Sequence, residues 1–382
     1  MDLTEAREKI DRIDDQITDL YGKRMEISRE IGIIKDKENK NVDAPEREKA
    51  IINRLAAKFP DDRKVYVKQL YNTIFYTSKA YQNRFVHLSS PSSEAIRAAL
   101  NKQSAAPVSA TVACQGVRGA YSGIAAEKLF QLSDITYFKS FEGVFQAVDK
   151  GFCSYGVLPI ENSTTGSILQ VYDLMQKYRF SIVSSVRVQA KHALVAKKGA
   201  RIENIKTVVS HEQGILQCAE FIKSLKAESR IMENTAVSAR FVADGNDDTV
   251  AAICSPECAA IYGLSILKTN VQDEGNNYTR FICISKNLEI YKGANKISVM
   301  VNTAHTPGSL NRVLNRFAAL NLNLTKLESR PIRNSDFEFL FYFDFEADIA
   351  DPSVQNLIAD LENGTDQFVF LGSYKETILK RR

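Results

Sequence analysis

The sequence has 382 residues, 44% hydrophobic and 25% charged, enough for two or three domains that each bury a core. A formal net charge of only +4, with no basic block interleaved with aromatics, excludes an extended nucleic-acid surface but leaves room for small basic pockets. No apolar run approaches the roughly 18–20 residues of a membrane span and residues 1–7 carry no signal pattern, so a cytoplasmic protein without a membrane partner is expected.

In chain order, Ala6, Ile10, Ile13, Ile17, Leu20, Arg24, Ile27, Ile31 and Ile34 fall on one stripe. Their spacing predicts a single helix of roughly 30 residues. Arg24 interrupts the apolar stripe, and a cation on a core-facing position must be paired or bind an anion. Lys35 lies about 16 Å further along the axis on the same face, so the two cations can converge on one ligand. Arg7 is rotated by about 100° and lies about 25 Å away, and it can serve that ligand only from a partner subunit.

Asp43 followed by Glu46 predicts a capped helix start, after which Arg47, Ile51 and Leu55 share a face. Asp61 and Asp62 open a third helix with Val67, Leu70, Ile74, Ser78 and Gln82 along one side. A long helix that its short neighbours cannot cover predicts an interlocked dimer. Interhelical salt bridges are the other reading of the stripe cations.

Arg7, Arg24, Lys35, Arg47 with Glu48, Ser78 and Gln82 resemble, in order and spacing, the site of the all-helical chorismate mutases, which are intertwined dimers. The resemblance implies an all-α mutase domain over residues 1–90. In it Arg24 and a partner's Arg7 hold two carboxylates, Lys35 and Gln82 bond the ether oxygen, and Glu48 binds the ring hydroxyl. Arg47 and Ser78 support them. An Asp that family members often carry before the Arg-Glu pair is here Asp43 or, in strict register, Ala44.

Ser89, Ser90, Pro91, Ser92 and Ser93 break the helical pattern, and residues 91–107 read as a linker. Beyond it, apolar runs at 110–114, 155–158, 207–209 and 249–253 alternate with helical stretches, the pattern of an α/β domain with largely parallel strands over 108–287. Polar clusters fall at the strand ends, where ligands of such folds bind. They are residues 115–122, 159–166, Ser210 and His211 with Gln217, and 234–236. The first cluster lacks the GxGxxG spacing of a dinucleotide site. His211 is either a general base or part of a helix-capping loop.

The run Asn276, Asn277, Tyr278, Thr279, Arg280, Phe281 is the mouth of a further strand that places a hydroxyl beside a cation, and an ordinary capping loop explains it equally well. These clusters together resemble the prephenate dehydratase family, whose fold has two α/β lobes around a cleft, like type II periplasmic binding proteins. The resemblance implies that Asn162, Ser210, Gln217 and Thr279 line the cleft, that Arg280 binds substrate carboxylate, and that Glu161 and Phe281 shape the site. Thr279 is the implied proton donor. Arg118 stands where many members have proline, for which altered loop stiffness is expected.

Residues 295–376 read as an α+β segment in βαββαβ order: strands at 296–302, 322–329, 337–345 and 367–371, with helices from Thr306 and Asp351. Pro307, Gly308, Ser309 and Leu310, with Glu328, Ser329, Arg330 and Pro331, resemble the ACT regulatory domain, which implies phenylalanine as an effector bound between paired domains. A purely structural dimerisation domain is the alternative.

The six cysteines lack paired ligand spacing; Cys254 and Cys258 have no second pair or nearby His, which favours buried thiols over zinc. The three resemblances together imply a multidomain, bifunctional chorismate mutase/prephenate dehydratase. It would turn chorismate into prephenate and then phenylpyruvate, without metal or organic cofactor, as a homo-oligomer (dimer or tetramer) inhibited by phenylalanine. A non-catalytic amino-acid sensor would leave the ordered site residues without a purpose. A mutase fused to a prephenate dehydrogenase would need the missing dinucleotide fingerprint.

Overall fold

The computed structural model describes residues 2–38, 40, 42–86, 88–102, 105–273, 275, 277–332 and 339–378. Asn276 and the expected strand start at Phe337 lie outside them. The chain forms two compact units, one of residues 1–101 with 296–370 and one of residues 102–295 with 371–382.

In the first unit α1 (Leu3–Lys37) opens on a capping box, with Asp2 Oδ1 accepting from Glu5 N at 2.8 Å and Glu5 reaching back to Asp2 N. Its stripe is the expected one, yet Ile10, Ile13, Ile17, Leu20, Ile27 and Ile34 are each more than half exposed in the single chain. Helix α2 (Pro45–Ala56) is capped by Ala44 without a side-chain bond, not by Asp43 as expected, because the Asp43 carboxylate is drawn to Lys79 at 2.8 Å. Helix α3 (Asp61–Gln82) packs on α1 so closely that a Cβ at Gly32 would lie 3.0 Å from the Gln82 carbonyl.

The expected linker is helical over its first half, α4 (Pro91–Asn101). Ser90 and Ser93 each accept from the other's backbone N–H, at 3.2 and 2.9 Å, so the serines start a helix instead of ending one.

The same unit contains residues 296–370. From residue 296 the elements are β12 (Lys296–Asn302), α12 (Ser309–Ala319), β13 (Leu324–Pro331), β14 (Phe339–Glu346), α13 (Pro352–Asn363) and β15 (Gln367–Tyr374), in βαββαβ order. The sheet order is β13-β14-β12-β15. Helix α12 packs on α3 and α13 on α4, and Asn356 Nδ2 donates to the carbonyls of Asn83 and Val86 at 2.5 and 3.1 Å.

The second unit has two sheets. One lobe begins with β1 (Ser109–Gln115), α5 (Tyr121–Leu129), β2 (Leu132–Phe138), α6 (Phe141–Asp149), β3 (Tyr155–Asn162), β4 (Gly166–Ser167), α7 (Leu169–Tyr178) and β5 (Ser181–Gln189). The chain then builds the other lobe from β6 (Ala193–Ala196), β7 (Thr207–Ser210), α8 (Glu212–Leu216), α9 (Ala219–Leu225), β8 (Glu228–Ile231), α10 (Thr235–Asp244), β9 (Val250–Cys254), α11 (Glu257–Tyr262) and β10 (Ser265–Thr269). It returns through β11 (Tyr278–Ser285), and β16 (Glu376–Ile378) adds the edge strand.

The strands are more mixed than the expected parallel set: β1 runs parallel to β2 and β3, but β11 lies antiparallel between β3 and β5, and β6 is antiparallel to β9 and β10. Strands that cross directly between lobes arrive without a covering helix and therefore reverse direction. The six cysteines are free and buried. Among the described residues no helix is long and apolar enough to cross a membrane.

Candidate active sites

Two sites follow from this framework. In the helical segment, positions 24, 28, 32 and 35 of α1 share a face, and α3 brings Ser78 and Gln82 against it. The Arg24 guanidinium donates to the Ser78 hydroxyl and lies 5.6 Å from the centre of the Phe75 ring; burial lowers its pKa. Lys35 Nζ donates to the Val42 carbonyl at 2.7 Å. Burial lowers its pKa, against the charges of Asp43 and Glu48, while Arg47 and Lys79 lower it further.

Gln82 is buried, and its Oε1 has no hydrogen-bond partner among the described residues, an acceptor that costs free energy unless something arrives to donate to it. Lys79, which sequence reasoning missed, ties the cluster together: its Nζ lies 2.8 Å from Asp43 Oδ1 and 3.2 Å from Glu48 Oε1. Arg47 and Arg7 are exposed, and Arg7, far up α1, does not reach this cluster within one chain.

The second site is a cavity of about 430 Å³ between the lobes of the α/β unit. Asn162 at the end of β3 accepts at Oδ1 from the backbone N–H of Thr164 (2.9 Å) and Thr165 (3.1 Å). That fixes its amide, and Nδ2 donates to Thr279 Oγ1 at 2.9 Å and to Asn277 Oδ1 at 2.6 Å. Thr279 thus accepts from Asn162, and its own proton is left to donate into the cavity it lines.

Gln217 and Phe281 also line the cavity. His192 does too, with Nε2 3.0 Å from Gln217 Oε1. Burial lowers the His192 pKa, opposed by that bond, so the ring is neutral. Nothing in the local sequence singles out His192; Asn277 sits in the polar stretch before β11.

No Lys or Arg is among the residues lining this cavity. Instead α5, α6, α7, α8 and α10 begin at its wall, through Ala120 to Ser122, Phe141, Ile168, His211 with Gln213, and Asn234 with Thr235. The caps of α5 and α7, Ala120 and Ile168, offer no side-chain bond, which leaves first-turn N–H groups for an anion. Gly116 and Gly119, at φ +107° and +91°, turn the chain sharply into α5.

Three expected residues stand elsewhere. Arg280 follows Thr279 on a strand, so its side chain takes the opposite face. There it is buried, with Nε 3.5 Å from Glu161 Oε2 and Nη1 4.0 Å from Glu376 Oε1, and neither Arg280 nor Glu161 lines the cavity. The structure thus places Arg280 behind β11, paired with Glu161 and Glu376. Ser210 is buried with its hydroxyl donating to the Ile253 carbonyl at 2.7 Å, and also does not line the cavity. His211 accepts at Nδ1 from Gln213 N at 3.3 Å as the cap of α8, the helix-capping alternative, while its ring borders the cavity.

In the βαββαβ segment Gly308, at φ +82°, caps α12, and Ser309 and Thr306 share a 2.7 Å hydroxyl contact. Pro307 and Leu310 flank them, while Glu328, Ser329, Arg330 and Pro331 lie on β13.

Comparison with known proteins matches residues 112–289 to the family described as prephenate dehydratase and residues 6–83 to chorismate mutase type II. The chain is 38% identical over 275 residues to arogenate dehydratase/prephenate dehydratase 2 of Arabidopsis thaliana, covering 69% of this chain and 72% of that protein. Among solved structures, the prephenate dehydratase of Arthrobacter aurescens in complex with L-Phe superposes with a TM-score of 0.64 at 27% identity, over 69% of this chain and 89% of the other. The Staphylococcus aureus prephenate dehydratase gives 0.62 at 26%, over 69% and 100%.

Proposed function

Since the chain belongs to the prephenate dehydratase family and carries a type II chorismate mutase domain ahead of it, we propose that it rearranges chorismate to prephenate in the helices and converts prephenate to phenylpyruvate in the cleft. The observation that carries the second step is the Thr279 hydroxyl, held as an acceptor by Asn162 so that its proton faces the cavity.

Prephenate bears two carboxylates. The uncapped first turns of α5 and α7 suit one or both of them without a cationic side chain. As the ring C–O bond breaks, the hydroxyl leaves with the Thr279 proton as water. The ring carboxylate departs as CO₂, and its bonding electrons complete the aromatic ring. A threonine is a weak acid, and the helix N-termini around it supply the field that favours the proton's transfer.

The mutase step needs no acid, base or nucleophile, only a folded conformer and stabilisation of charge as the ether bond opens. Lys35 and Gln82 border that site, and both donate to the ether oxygen, Gln82 through its side-chain Nε2–H, while its unpartnered Oε1 is left to accept from another substrate group. Arg24, Arg47, Glu48 and Ser78 hold the rest of the substrate, with Arg7 arriving from a second copy. The exposed stripe of α1 supports that copy, because an apolar face of this length is buried by a partner helix.

Phenylalanine acts as feedback effector through residues 307–310 and 328–331. The neighbour from Arthrobacter aurescens, solved with L-Phe, supports this reading. Incubation with chorismate, following its loss and the ultraviolet absorbance of phenylpyruvate in alkali, tests both steps; a chain that consumes no chorismate and converts no prephenate would sink the proposal. Arogenate in place of prephenate is a second reading, favoured by the names of the plant relatives and by Glu233, a carboxylate on the cavity wall that an ammonium would meet. Parallel assays of the two dehydratase substrates decide it by their kcat/KM ratio.

A further inference from the structure

A separate cavity of about 180 Å³ lies inside the first unit, between α3 on one side and α12 with α13 on the other. It is smaller than the roughly 300–1,000 Å³ of drug-sized sites, so its occupant is small. Of the residues that resemble a phenylalanine site, only Ser309 reaches it.

The cations around the cavity are not equally matched. Lys79 is held by Asp43 and Glu48 at 2.8 and 3.2 Å. Arg316 is held by Asp360, Nε to Oδ2, at 3.1 Å, and lies so close over Gly364 that a Cβ there would meet its Nη2 at 2.7 Å. Arg312, in contrast, bonds only neutral hydroxyls, Ser309 Oγ at 2.6 Å and Thr306 Oγ1 at 3.4 Å, and has no carboxylate partner among the described residues. Its fork therefore leaves capacity for one carboxylate, the geometry at which a guanidinium binds best.

Ala80, Val313, Leu320 and Leu357 supply an apolar wall, and Tyr76 an aromatic one, whose phenol is close enough to feel Arg312, Lys79 and Arg316 together. The charged residues lining the cavity are four cations, Lys79, Arg84, Arg312 and Arg316, and three carboxylates, Asp43, Asp360 and Asp366, which leaves one positive charge in excess. That excess beside an apolar wall suits a single carboxylate on an aromatic body, and a dicarboxylate would leave one charge unpaired.

We propose that this cavity binds a small aromatic monocarboxylate, with Arg312 as its charge partner, and that the occupant acts on the mutase step through Lys79. A carboxylate entering beside Lys79 competes with Glu48 for that ammonium, and Glu48 is the group assigned to the substrate's ring hydroxyl. That consequence rests on the mutase reading above; binding itself does not.

The experiment uses the full-length chain and two probes, phenylpyruvate and phenylalanine, in equilibrium dialysis, to separate an α-keto acid from an amino acid as the source of the carboxylate. Arg312→Gln removes the charge, and Ala80→Phe fills the space; chorismate turnover without ligand, kept within about twofold of wild type, reports that each variant is folded. At least one probe is expected to lose one class of sites per chain, or to bind at least tenfold more weakly, in both variants, while its remaining sites are unchanged. In wild type that probe shifts mutase kcat/KM at least threefold, and in Arg312→Gln it does not.

Binding of both probes unchanged in a folded Arg312→Gln overturns the site. Lost binding with an unshifted mutase overturns the link through Lys79. A wild-type chain that binds a probe here but turns over no chorismate overturns the mutase reading alone, and leaves the cavity assigned.

Discussion

The helices of the first unit and the cleft of the second meet anions by different means. In the helices the positive charge sits on the side chains of Arg24 and Lys35, half-removed from water, while Arg7 stays exposed far up α1, and on the proposed reading a second copy's Arg7 completes the set. In the cleft no Lys or Arg lines the cavity among the described residues, and five helices, α5, α6, α7, α8 and α10, begin at its wall, all from one chain. Side-chain cations can be borrowed across a subunit boundary, whereas backbone dipoles come fixed to the fold that makes them. The first site should therefore depend on assembly, and the second on the integrity of its own unit.

The largest test of that separation is Thr279→Val, which keeps the shape and deletes the hydroxyl. A fall of about 10³-fold in dehydratase turnover is expected, within the range for a lost general acid, with chorismate consumption untouched. Lys35→Ala should lower mutase kcat by about 10²-fold, the scale of one lost charge-stabilising donor, and leave prephenate conversion at its wild-type rate. If either substitution lowers both activities together, the two regions are not independent.

Asn162→Ala is expected to cost about tenfold in dehydratase kcat, as one net hydrogen bond is worth, with KM little changed, because Asn162 positions Thr279. A tenfold rise in KM at constant kcat would instead make it a binding group. The smallest effect is one of pH. Burial holds the folded His192 below the ordinary imidazole value of 6.5, so the unfolded chain takes up the proton more readily. Its contribution to stability is whole above 6.5 and is lost as pH falls through the lowered folded value. Thermal unfolding of the second unit should show a shallower loss on acidification in His192→Asn than in wild type.

Much of the helical site is readable along the chain because a single helix translates spacing directly into direction: Arg24, Lys35, Ser78 and Gln82 sit on facing stripes as their intervals require. The cleft is less so. Thr279 and Asn162 meet because β3 and β11 pair residue for residue at that point, and a polar cluster at each strand end was enough to suggest it.

Arg280 lies on the face of β11 opposite to Thr279, a placement that strand alternation already implies for neighbouring residues. Ser90, Pro91 and Glu94 likewise carried a helix-start signature inside the expected linker. His192 and the inward helix ends left no local mark, because each acquires its role only when two lobes close around a common space. Lys79 belongs with them: its partners Asp43 and Glu48 lie more than thirty positions earlier, and nothing in its own helix distinguishes it.

The short strand β16 bears on how the protein is made. It runs parallel to β5, with Ser185 N donating to the Lys375 carbonyl at 3.1 Å, and it brings Glu376 to Arg187 at 2.9 Å as well as behind Arg280. The sheet that carries Thr279 is therefore finished by residues 376–378, after the βαββαβ segment has been passed. During synthesis the edge of β5 stays open until residues 376–378 have left the ribosome, so this sheet is sealed only after the βαββαβ segment has emerged. A stop codon just after Phe370 would remove no residue lining the cleft and would still leave the buried Arg280 without one of its two carboxylates.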